Sequence, residues 1–271
     1  MKKRKIAFIT LAGVVLLSAC GKQAASQSTE SSTSTAAEAT VIKVGSTGQS
    51  FPNGYKEDNK LVGFDVELTE KIAEQLGYQV EWVTTDFSGL MAQLEGGRLD
   101  TVANAVAITA ERAEKYTFAE PYSFYGVQLV TNVENKDINT PEDLKGKTVS
   151  GVLGSNNVKN LEKFDTNKEI TIRTYETRDG AQQDVINNRV EGYVNSRPIL
   201  AAEIKKSKLP LKFVGEPLTY EDVSFPFAKN EKGEKLAKEF SKEIEELRAS
   251  GELKTLSEKY FDEDITTKTK E

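Results

Sequence analysis

Apolar and polar positions along the chain form blocks that predict strands and helices in turn. Residues 41–45 form a mostly apolar run that ends at Gly45, which is typical of a buried strand. A helix follows, with Asp65 as its expected N-cap and Gly77 as its stop. Residues 78–84 then alternate as a second strand. This order predicts a parallel sheet with helices packed on its faces.

The middle of the chain repeats the same order of elements. Its predicted elements are a short helix (141–146), three strands (147–152, 169–175 and 189–195) and a longer helix (177–188). The C-terminal part predicts two more helices, at about 233–250 and 252–260. The first of these helices has apolar residues on one face, at Leu236, Phe240, Ile244 and Leu247.

Two short segments resemble each other and indicate two lobes built on one plan. Residues 97–104 and 188–195 both have a turn residue, Arg, an aliphatic residue, an acid, two further residues, an apolar residue and Asn. The alternative is that any turn from a helix to a strand attracts such residues. In two parallel-sheet lobes, ligands bind where the carboxyl ends of the strands meet. The loops expected to face that cleft are 46–55, 85–88, 104–112, 153–157 and 195–197.

These loops carry hydroxyls, amides, a few aromatic rings and one cation at an informative position, and they contain no obvious catalytic pair. The cation is Arg112, in the first turn of a helix expected to begin after Thr109. The helix dipole favours an acid there, so a cation beside free helix N–H groups indicates an anion site. The alternative is a surface arginine that pairs with Glu111 or Glu114.

The N-terminal residues predict export and lipid attachment. Residues 2–5 are basic and residues 6–17 are apolar, which is typical of a secretory signal and is too short for a membrane span of about 20 residues. Residues 17–21 resemble the bacterial lipobox, which implies cleavage after residue 19 and lipid on the sulfur of Cys20, the only cysteine. Residues 20–40 lack large apolar side chains apart from the lipid-bearing cysteine and are expected to form a flexible tether.

Composition then excludes several functional classes. Removal of residues 1–19 takes away four positive charges and no negative ones, which changes the formal charge from −6 to −10. An acidic protein is a poor candidate for binding nucleic acid. The chain has no histidine, so ordinary zinc sites and Ser-His or Cys-His nucleophiles are excluded, and no cofactor or metal is expected.

Several passages in this order resemble family 3 of the bacterial solute-binding proteins, the polar amino-acid receptors of ABC importers. The passages are residues 63–67, 89–94 with 98–100, 108–112 with 118–122, 143–148, and 251–254 with 259–261. The resemblance covers about residues 41–264. It implies a two-lobed periplasmic-binding-protein-like α/β fold of type II, each lobe a mainly parallel sheet flanked by helices. The implied division is 41–131 with 222–271 for the first lobe and 132–221 for the second, and the expected state is a monomer.

The resemblance also implies roles for individual residues. Arg112 would hold the α-carboxylate of an amino acid, Ala107 would donate its backbone N–H, and Asn156 and Asn157 would approach the same carboxylate from a helix start. Phe51 and Phe87 would be aromatic walls, with ordinary core packing as the alternative for both. Residues 102–104, which include Asn104, and residues 154–156 are most similar to the cystine-binding branch.

One position departs from the family pattern. Many members place an Asp there for the ligand α-ammonium, and this chain has Ser196, with Arg197 next to it. Burying an ammonium beside neutral oxygens costs affinity. Either another acid serves, with Glu120 and Glu191 nearest in the motifs, or the ligand is not an ordinary α-amino acid.

Three functions are therefore compared. The first is a lipid-anchored, non-enzymatic receptor on the extracytoplasmic face of the membrane, which delivers cystine, a related sulfur amino acid or another polar amino acid to an ABC permease. The second is a dehydratase-type enzyme on the same scaffold, which would need an acid or base in the cleft and would convert prephenate or arogenate. The third is a surface adhesin or sensor domain, for which only the expected location argues. The fold alone does not choose among them.

Overall fold

Two separate sheets covered by helices organise the part of the chain that the structure, a computed structural model, describes, which is residues 40–268. The helices are α1 (Phe64–Gln75), α2 (Phe87–Glu95), α3 (Ala110–Lys115), α4 (Asn156–Phe164), α5 (Arg178–Ile186), α6 (Arg197–Ser207), α7 (Glu231–Ser250) and α8 (Glu252–Phe261), with a 3-10 turn at Pro141–Leu144. None of these helices combines the length and the apolar character that a membrane-spanning helix needs.

The strands of the same region are mostly short. They are β1 (Thr40–Ser46), β2 (Gln49–Ser50), β3 (Gly54–Glu57), β4 (Lys60–Val62), β5 (Tyr78–Thr84), β6 (Thr101–Val102), β7 (Val106–Ala107), β8 (Tyr116–Phe118), β9 (Ser123–Asn132), β10 (Thr148–Val152), β11 (Thr171–Tyr175), β12 (Gly192–Ser196), β13 (Leu211–Ser224) and β14 (Pro226–Ala228). A small sheet has the order β2-β3-β4.

Each large sheet joins three parallel strands to antiparallel ones. The first has the order β5-β1-β6-β14-β8, with β1 parallel to β5 and β6. The second has the order β11-β10-β12-β9-β13-β7, with β10 parallel to β11 and β12. The expected two-lobed α/β architecture is confirmed. The parallel strands belong to strand-helix-strand units. The antiparallel pairs involve β9, β13 and β14, which lie next to the points where the chain passes from one sheet to the other.

The chain joins the second sheet earlier than the implied division placed it, first briefly at β7 and then along β9. β9 begins at Ser123 and pairs with β12 and β13 along its length. Residues 123–131, which the division assigned to the first lobe, therefore belong to the second sheet. The chain returns to the first sheet between β13, which ends at Ser224, and β14, which begins at Pro226, close to the implied boundary at 221/222.

The first sheet is packed against α1, α7 and α8 by a chain of buried aromatic rings. The ring of Phe225 lies 4.6 Å from that of Tyr122 and 5.4 Å from that of Phe240, measured between centroids. Such pairs contribute about 0.5–1.5 kcal/mol each beyond the area that they bury. The apolar face predicted for α7 is the one that is buried here.

The two similar segments occupy equivalent places in the two sheets. The Oδ2 of Asp100 accepts a hydrogen bond from the N–H of Lys43 on β1, at 2.9 Å. The Oε2 of Glu191 accepts one from the N–H of Thr148 on β10, also at 2.9 Å. In both segments the backbone N–H of the acid also bonds back to the carbonyl of the same partner residue. The shared plan is therefore visible as the same contact made twice.

The start of α1 differs from the sequence prediction. Its N-cap is Gly63, at φ 133°, and Asp65 lies inside the first turn with its side chain fully buried. A side chain at residue 63 would meet the carbonyl oxygen of Asn53 at 2.3 Å, so only glycine allows this approach. Asp65 is thereby directed into the protein, where it bonds to two loops instead of to its own helix.

A second glycine brings α4 close to the second sheet. Gly151 lies in β10, and a Cβ added there would come within 2.4 Å of Cγ2 of Val158, on α4. It would also come within 3.2 Å of Cγ1 of Val194, on β12. Since valine is stiff at χ1, neither methyl group can easily move away. The missing side chain therefore sets how closely the start of α4 approaches the ends of the strands.

We expect Gly151→Ala to lower the free energy of unfolding by about 1–3 kcal/mol, the usual cost of overpacking. Urea unfolding of the wild type and the variant measures this change. In the double variant Gly151→Ala with Val158→Ala the colliding methyl group is gone. The combined loss should therefore be smaller than the sum of the two single losses. Additive losses would show that this contact is not what the glycine serves.

Candidate functional site

A cavity of about 290 Å³ lies between the two sheets and is lined by loops from both. Small-molecule sites commonly measure about 300–1,000 Å³, so its volume suits a small ligand. The lining includes Thr47, Ser50, Asp86, Phe87, Asn104, Ala107 and Arg112, together with Ser155, Asn156, Asn157, Glu176, Arg178, Asn195, Ser196 and Glu221. No group of three or more acidic side chains within residues 40–268 is arranged to hold a metal ion.

Arg112 is held at the cavity by backbone groups. It lies in α3, whose N-cap Thr109 accepts from the N–H of Arg112 through Oγ1 at 3.1 Å. Its Nη1 donates to the carbonyl of Ala107 at 3.0 Å, and its Nη2 donates to that of Gly154 at 3.5 Å. The guanidinium carbon lies 5.6 Å from the ring centroid of Phe87, a cation–π contact. Burial lowers the pKa of this guanidinium, which nevertheless stays a cation at neutral pH.

The neighbouring acid does not neutralise this arginine. Glu111 forms an ion pair with Lys159, on α4. The alternative in which Arg112 answers Glu111 at the surface is therefore disfavoured. What remains is a half-buried cation whose hydrogen bonds go to carbonyl oxygens, which leaves its charge available to an anion.

The start of α4 lies across the cavity from Arg112. Ser155 caps this helix, with its Oγ accepting from the N–H of Val158 at 3.3 Å. Asn156 and Asn157 occupy the first turn, where backbone N–H groups have no partner within the helix. Such a helix start attracts anions through these N–H groups and through the helix dipole. Both asparagines line the cavity.

Neutral groups surround Ser196. The N–H of Ser196 donates to Oδ1 of Asn195 at 2.8 Å, and Nδ2 of Asn157 reaches the same oxygen at 3.3 Å. Nδ2 of Asn195 in turn donates to the hydroxyl of Tyr193 at 2.7 Å. Arg197 takes no part, because its Nη1 donates to Gln128 at 3.0 Å, away from the cavity lining. The groups that bond to one another around Ser196, which are Asn157, Asn195 and Tyr193, therefore carry no formal charge.

A buried ion pair stands at another part of the lining. Nη1 of Arg178, the first residue of α5, lies 3.0 Å from Oε1 of Glu203, and both side chains are about nine-tenths buried, with 10% and 11% exposed. The same Nη1 donates to the backbone carbonyl of Phe51 at 2.8 Å. Gln182 completes the arrangement by donating to Oε2 of Glu203 at 2.6 Å. These bonds join the loop before β3 to the start of α5.

Asp65 is buried behind the cavity lining and connects two of the lining loops. Its Oδ1 accepts from Nδ2 of Asn53 at 3.0 Å, and its Oδ2 accepts from the N–H of Ala105 at 2.7 Å. Asn53 also donates to the hydroxyl of Tyr125 at 2.9 Å. Burial raises the pKa of the Asp65 carboxyl to about 6, although these hydrogen bonds oppose the rise. The carboxylate therefore fixes the loops at 46–53 and 104–107 at a cost in desolvation.

Residues 42–263 match the bacterial extracellular solute-binding proteins, family 3. The match covers most of the chain and all the elements that line the cavity. The chain belongs to this family.

Relatives and solved structures that are named as amino-acid-binding proteins agree with this assignment. "Probable amino-acid-binding protein YxeM" of Bacillus subtilis is 49% identical over 271 residues, which is 100% of both chains. "L-cystine-binding protein TcyJ" of Escherichia coli K12 is 32% identical over 83% of this chain and 84% of that one. The structure of an ancestral arginine-binding protein bound to arginine has a TM-score of 0.76 and 31% identity over 82% of this chain and 98% of that one.

The structure brings together most of the residues that the family 3 resemblance implied. Those that line the cavity are Arg112, Ala107, Asn156, Asn157, Phe87, Asn104 and Ser196. For Phe87 both interpretations apply, because the ring lines the cavity and also packs in the core beside Leu90 and Val102. Asn104 accepts hydrogen bonds from the N–H and the hydroxyl of Thr47, at 3.0 and 2.9 Å, which holds the first loop beside it.

Phe51 is a correction, because its ring does not line this cavity. It packs against Tyr55, with centroids 5.0 Å apart, and under Nζ of Lys206 at 3.9 Å, in a separate surface groove. Only its backbone carbonyl approaches the site, through Arg178. Glu120 and Glu191, the acids considered for the ammonium, are likewise outside the lining, and Glu191 is engaged by the backbone of β10.

Four charged lining residues escape the sequence patterns: Lys56, Glu176, Arg178 and Glu221. Arg178 follows β11, a parallel strand whose carboxyl end faces the same cleft, so the strand-end rule would have found it. Glu221 lies within the long antiparallel strand β13, where no motif or strand end marks a site. Neither Arg178 nor Glu221 lies in the passages that carry the resemblance to family 3, so the resemblance implied no role for them.

Asp65 predicts an unusual dependence of stability on pH. Its folded-state pKa of about 6 lies above the unfolded value of 3.8, so the folded chain binds this proton more tightly. Lowering the pH from 7 to 5 should therefore stabilise the wild type by about 1.4 kcal/mol relative to Asp65→Asn, which has no proton to gain. The difference in the free energy of unfolding at the two pH values, from urea denaturation, measures it.

The matched control is Asp58→Asn, at an exposed position in the turn between β3 and β4. It removes the same charge without touching the buried network. A wild-type advantage over Asp65→Asn that stays constant, or shrinks, on acidification would contradict a raised pKa for Asp65.

Proposed function

We propose that this chain is the substrate-binding lipoprotein of an ABC importer, which captures an amino acid in the cavity and delivers it to a membrane permease. The Arg112 guanidinium carries the proposal, because it lies at the cavity and bonds to carbonyl oxygens instead of to a carboxylate. A cation in that state attracts an anion strongly in a half-buried site. An α-carboxylate is the anion that every amino acid supplies.

The other lining residues have complementary roles in this proposal. Arg112 holds the carboxylate through two parallel N–H bonds, and Ala107 offers its backbone N–H beside it. Asn156 and Asn157 approach the same carboxylate with the N–H groups at the start of α4. Phe87 forms an apolar wall, while Asn104 and Ser196 offer oxygens and hydroxyls to the rest of the ligand.

Cystine or a related sulfur amino acid is the ligand that we propose. Support comes from the 32% identical relative named for L-cystine binding and from the similarity of residues 102–104 and 154–156 to that branch. The alternative is another polar amino acid, such as glutamine, arginine or histidine. The similarity to an arginine-bound structure keeps that alternative open to test. The names of YxeM and TcyJ, both binding proteins, support a receptor without enzymatic turnover.

We further propose that the protein is anchored at the extracytoplasmic face of the cell membrane and acts as a monomer. In this proposal residues 1–19 are removed, Cys20 carries the lipid, and residues 20–40 are the tether. Of residues 1–40, the structure describes Thr40 alone. For the lobes we propose the expected division, 41–131 with 222–271 and 132–221, amended so that residues 123–131 of β9 join the second lobe. The pairing of β9 with β12 and β13 supports this amendment.

We expect Arg112→Ala to weaken amino-acid binding by at least about 100-fold, because it leaves a ligand carboxylate buried without its cation. Isothermal titration calorimetry of residues 41–271, refolded to remove carried-over ligand, measures this with L-cystine first and other amino acids afterwards. Arg98→Ala, an exposed arginine of the same lobe, is the matched control and should bind as the wild type does. An unchanged affinity in Arg112→Ala would rule out the carboxylate role. If no amino acid produced a heat of binding with the wild type, the receptor proposal would be wrong.

Lipid attachment is tested by Cys20→Ser in the full chain, expressed in a bacterial host. We expect wild type in the membrane fraction with label from radioactive palmitate. The variant should lose that label and leave the membrane fraction, since Cys20 is the only sulfur that could carry acyl chains through a thioether. Ser28→Ala, in the same tether, is the control and should behave like wild type. Equal membrane association of Cys20→Ser and wild type would contradict the anchor.

A further inference from the structure

The cavity contains an acidic side chain that no motif marked, Glu221 on β13. Its Oε1 accepts hydrogen bonds from the side-chain amides of Asn156 and Asn160, both on α4. Within residues 40–268 the hydrogen bonds to this carboxylate all end on Oε1, so Oε2 has no donor there. The carboxylate is thus fixed in orientation by two amides and keeps one oxygen for another partner.

Glu221 lies near enough to Arg112 for the two charges to influence each other. Burial raises the pKa of Glu221, while the two asparagine amides and Arg112 oppose the rise. Yet Arg112 bonds to the carbonyls of Ala107 and Gly154, not to this carboxylate. The cavity therefore presents a cation and an anion in the same region, each with bonding capacity that described residues do not use. An α-amino acid carries the opposite pair of charges on one carbon atom.

The other candidates for an ammonium partner are less suitable. Ser196 lies among neutral groups, which cannot repay the desolvation of an ammonium. Asp86 already caps α2, with its Oδ1 accepting from the N–H of Gly89 at 2.8 Å. Glu176 is exposed, where water screens its charge. Glu221 is the half-buried acid of the lining that has an oxygen in reserve.

We propose that Glu221 binds the α-ammonium group of the amino acid whose carboxylate Arg112 holds, and so supplies the negative charge that Ser196 lacks. The inference rests on the proposed function, because it needs an amino acid in the cavity. It deepens that function by requiring a ligand with a free α-ammonium next to its carboxylate. It also removes the need for a ligand that is not an ordinary α-amino acid.

The test is Glu221→Gln, which removes the charge and keeps an oxygen that can accept from Asn156 and Asn160. Calorimetry compares each amino acid with its counterpart lacking the α-amino group: L-cystine with dithiodipropionate, L-glutamine with glutaramate, and L-arginine with δ-guanidinovalerate. For the amino acid that binds wild type, we expect the variant to lose about 100-fold in affinity. The counterpart should bind wild type and variant equally, or the variant more tightly, because it brings no cation to Glu221.

Glu216→Gln is the matched control, an exposed acid on the same strand whose loss changes the net charge equally. It should leave every affinity unchanged. Equal losses for an amino acid and its counterpart in Glu221→Gln would show that Glu221 only positions α4, and would overturn the inference. Unchanged amino-acid affinity in that variant would overturn it too while leaving the proposed function intact. Failure of wild type to bind any amino acid would instead overturn the proposed function, and the inference with it.

Discussion

The pairing of β9 with β13 is the constraint on which the geometry of the cavity depends. These two strands form an antiparallel ladder from Asn132 paired with Leu211 to Ser123 paired with Val223, with one irregularity between Val214 and Thr219. β12 pairs with β9 so that Ser196 lies opposite Val127, and β7 pairs with β13 so that Ala107 lies opposite Val223. Backbone hydrogen bonds therefore fix two parts of the lining, at Ser196 and at Ala107, relative to one ladder.

The same ladder also explains how a charged side chain, Glu221, is kept in the cavity lining. Glu221 projects from the same ladder, two residues from the partner of Ala107. Its backbone position is set by main-chain bonds of the ladder, independently of the bonds that its carboxylate accepts from the amides of α4. Gly151 adds the second part of the constraint, because it lets α4 come down to the sheet and bring those amides within reach.

Sequence patterns predicted the parts of this site that rest on local rules. Thr109 caps α3 as expected, which places Arg112 at a helix start, and the acids at 100 and 191 bond to equivalent strands in the two sheets. The predictions that were wrong depend on contacts between residues that are not adjacent in the sequence. The ring of Phe51 turns outward because Tyr55 and Lys206 stack on it, and Asp65 turns inward because Gly63 takes the cap position. The neighbours of Phe51 and Asp65 in the chain are therefore not enough to predict where these two side chains point.

The hydrogen bond from Arg178 to residue 51 has a consequence for how this protein can change over generations. Its acceptor is a main-chain oxygen, so the bond makes no demand on which side chain stands at position 51. Substitutions there can accumulate while the bond persists, and they need no matching change at 178. Selection for the bond falls on Arg178 and on Glu203, which holds it. A connection between the two halves of the cavity can thus persist through evolution without leaving correlated substitutions at its two ends.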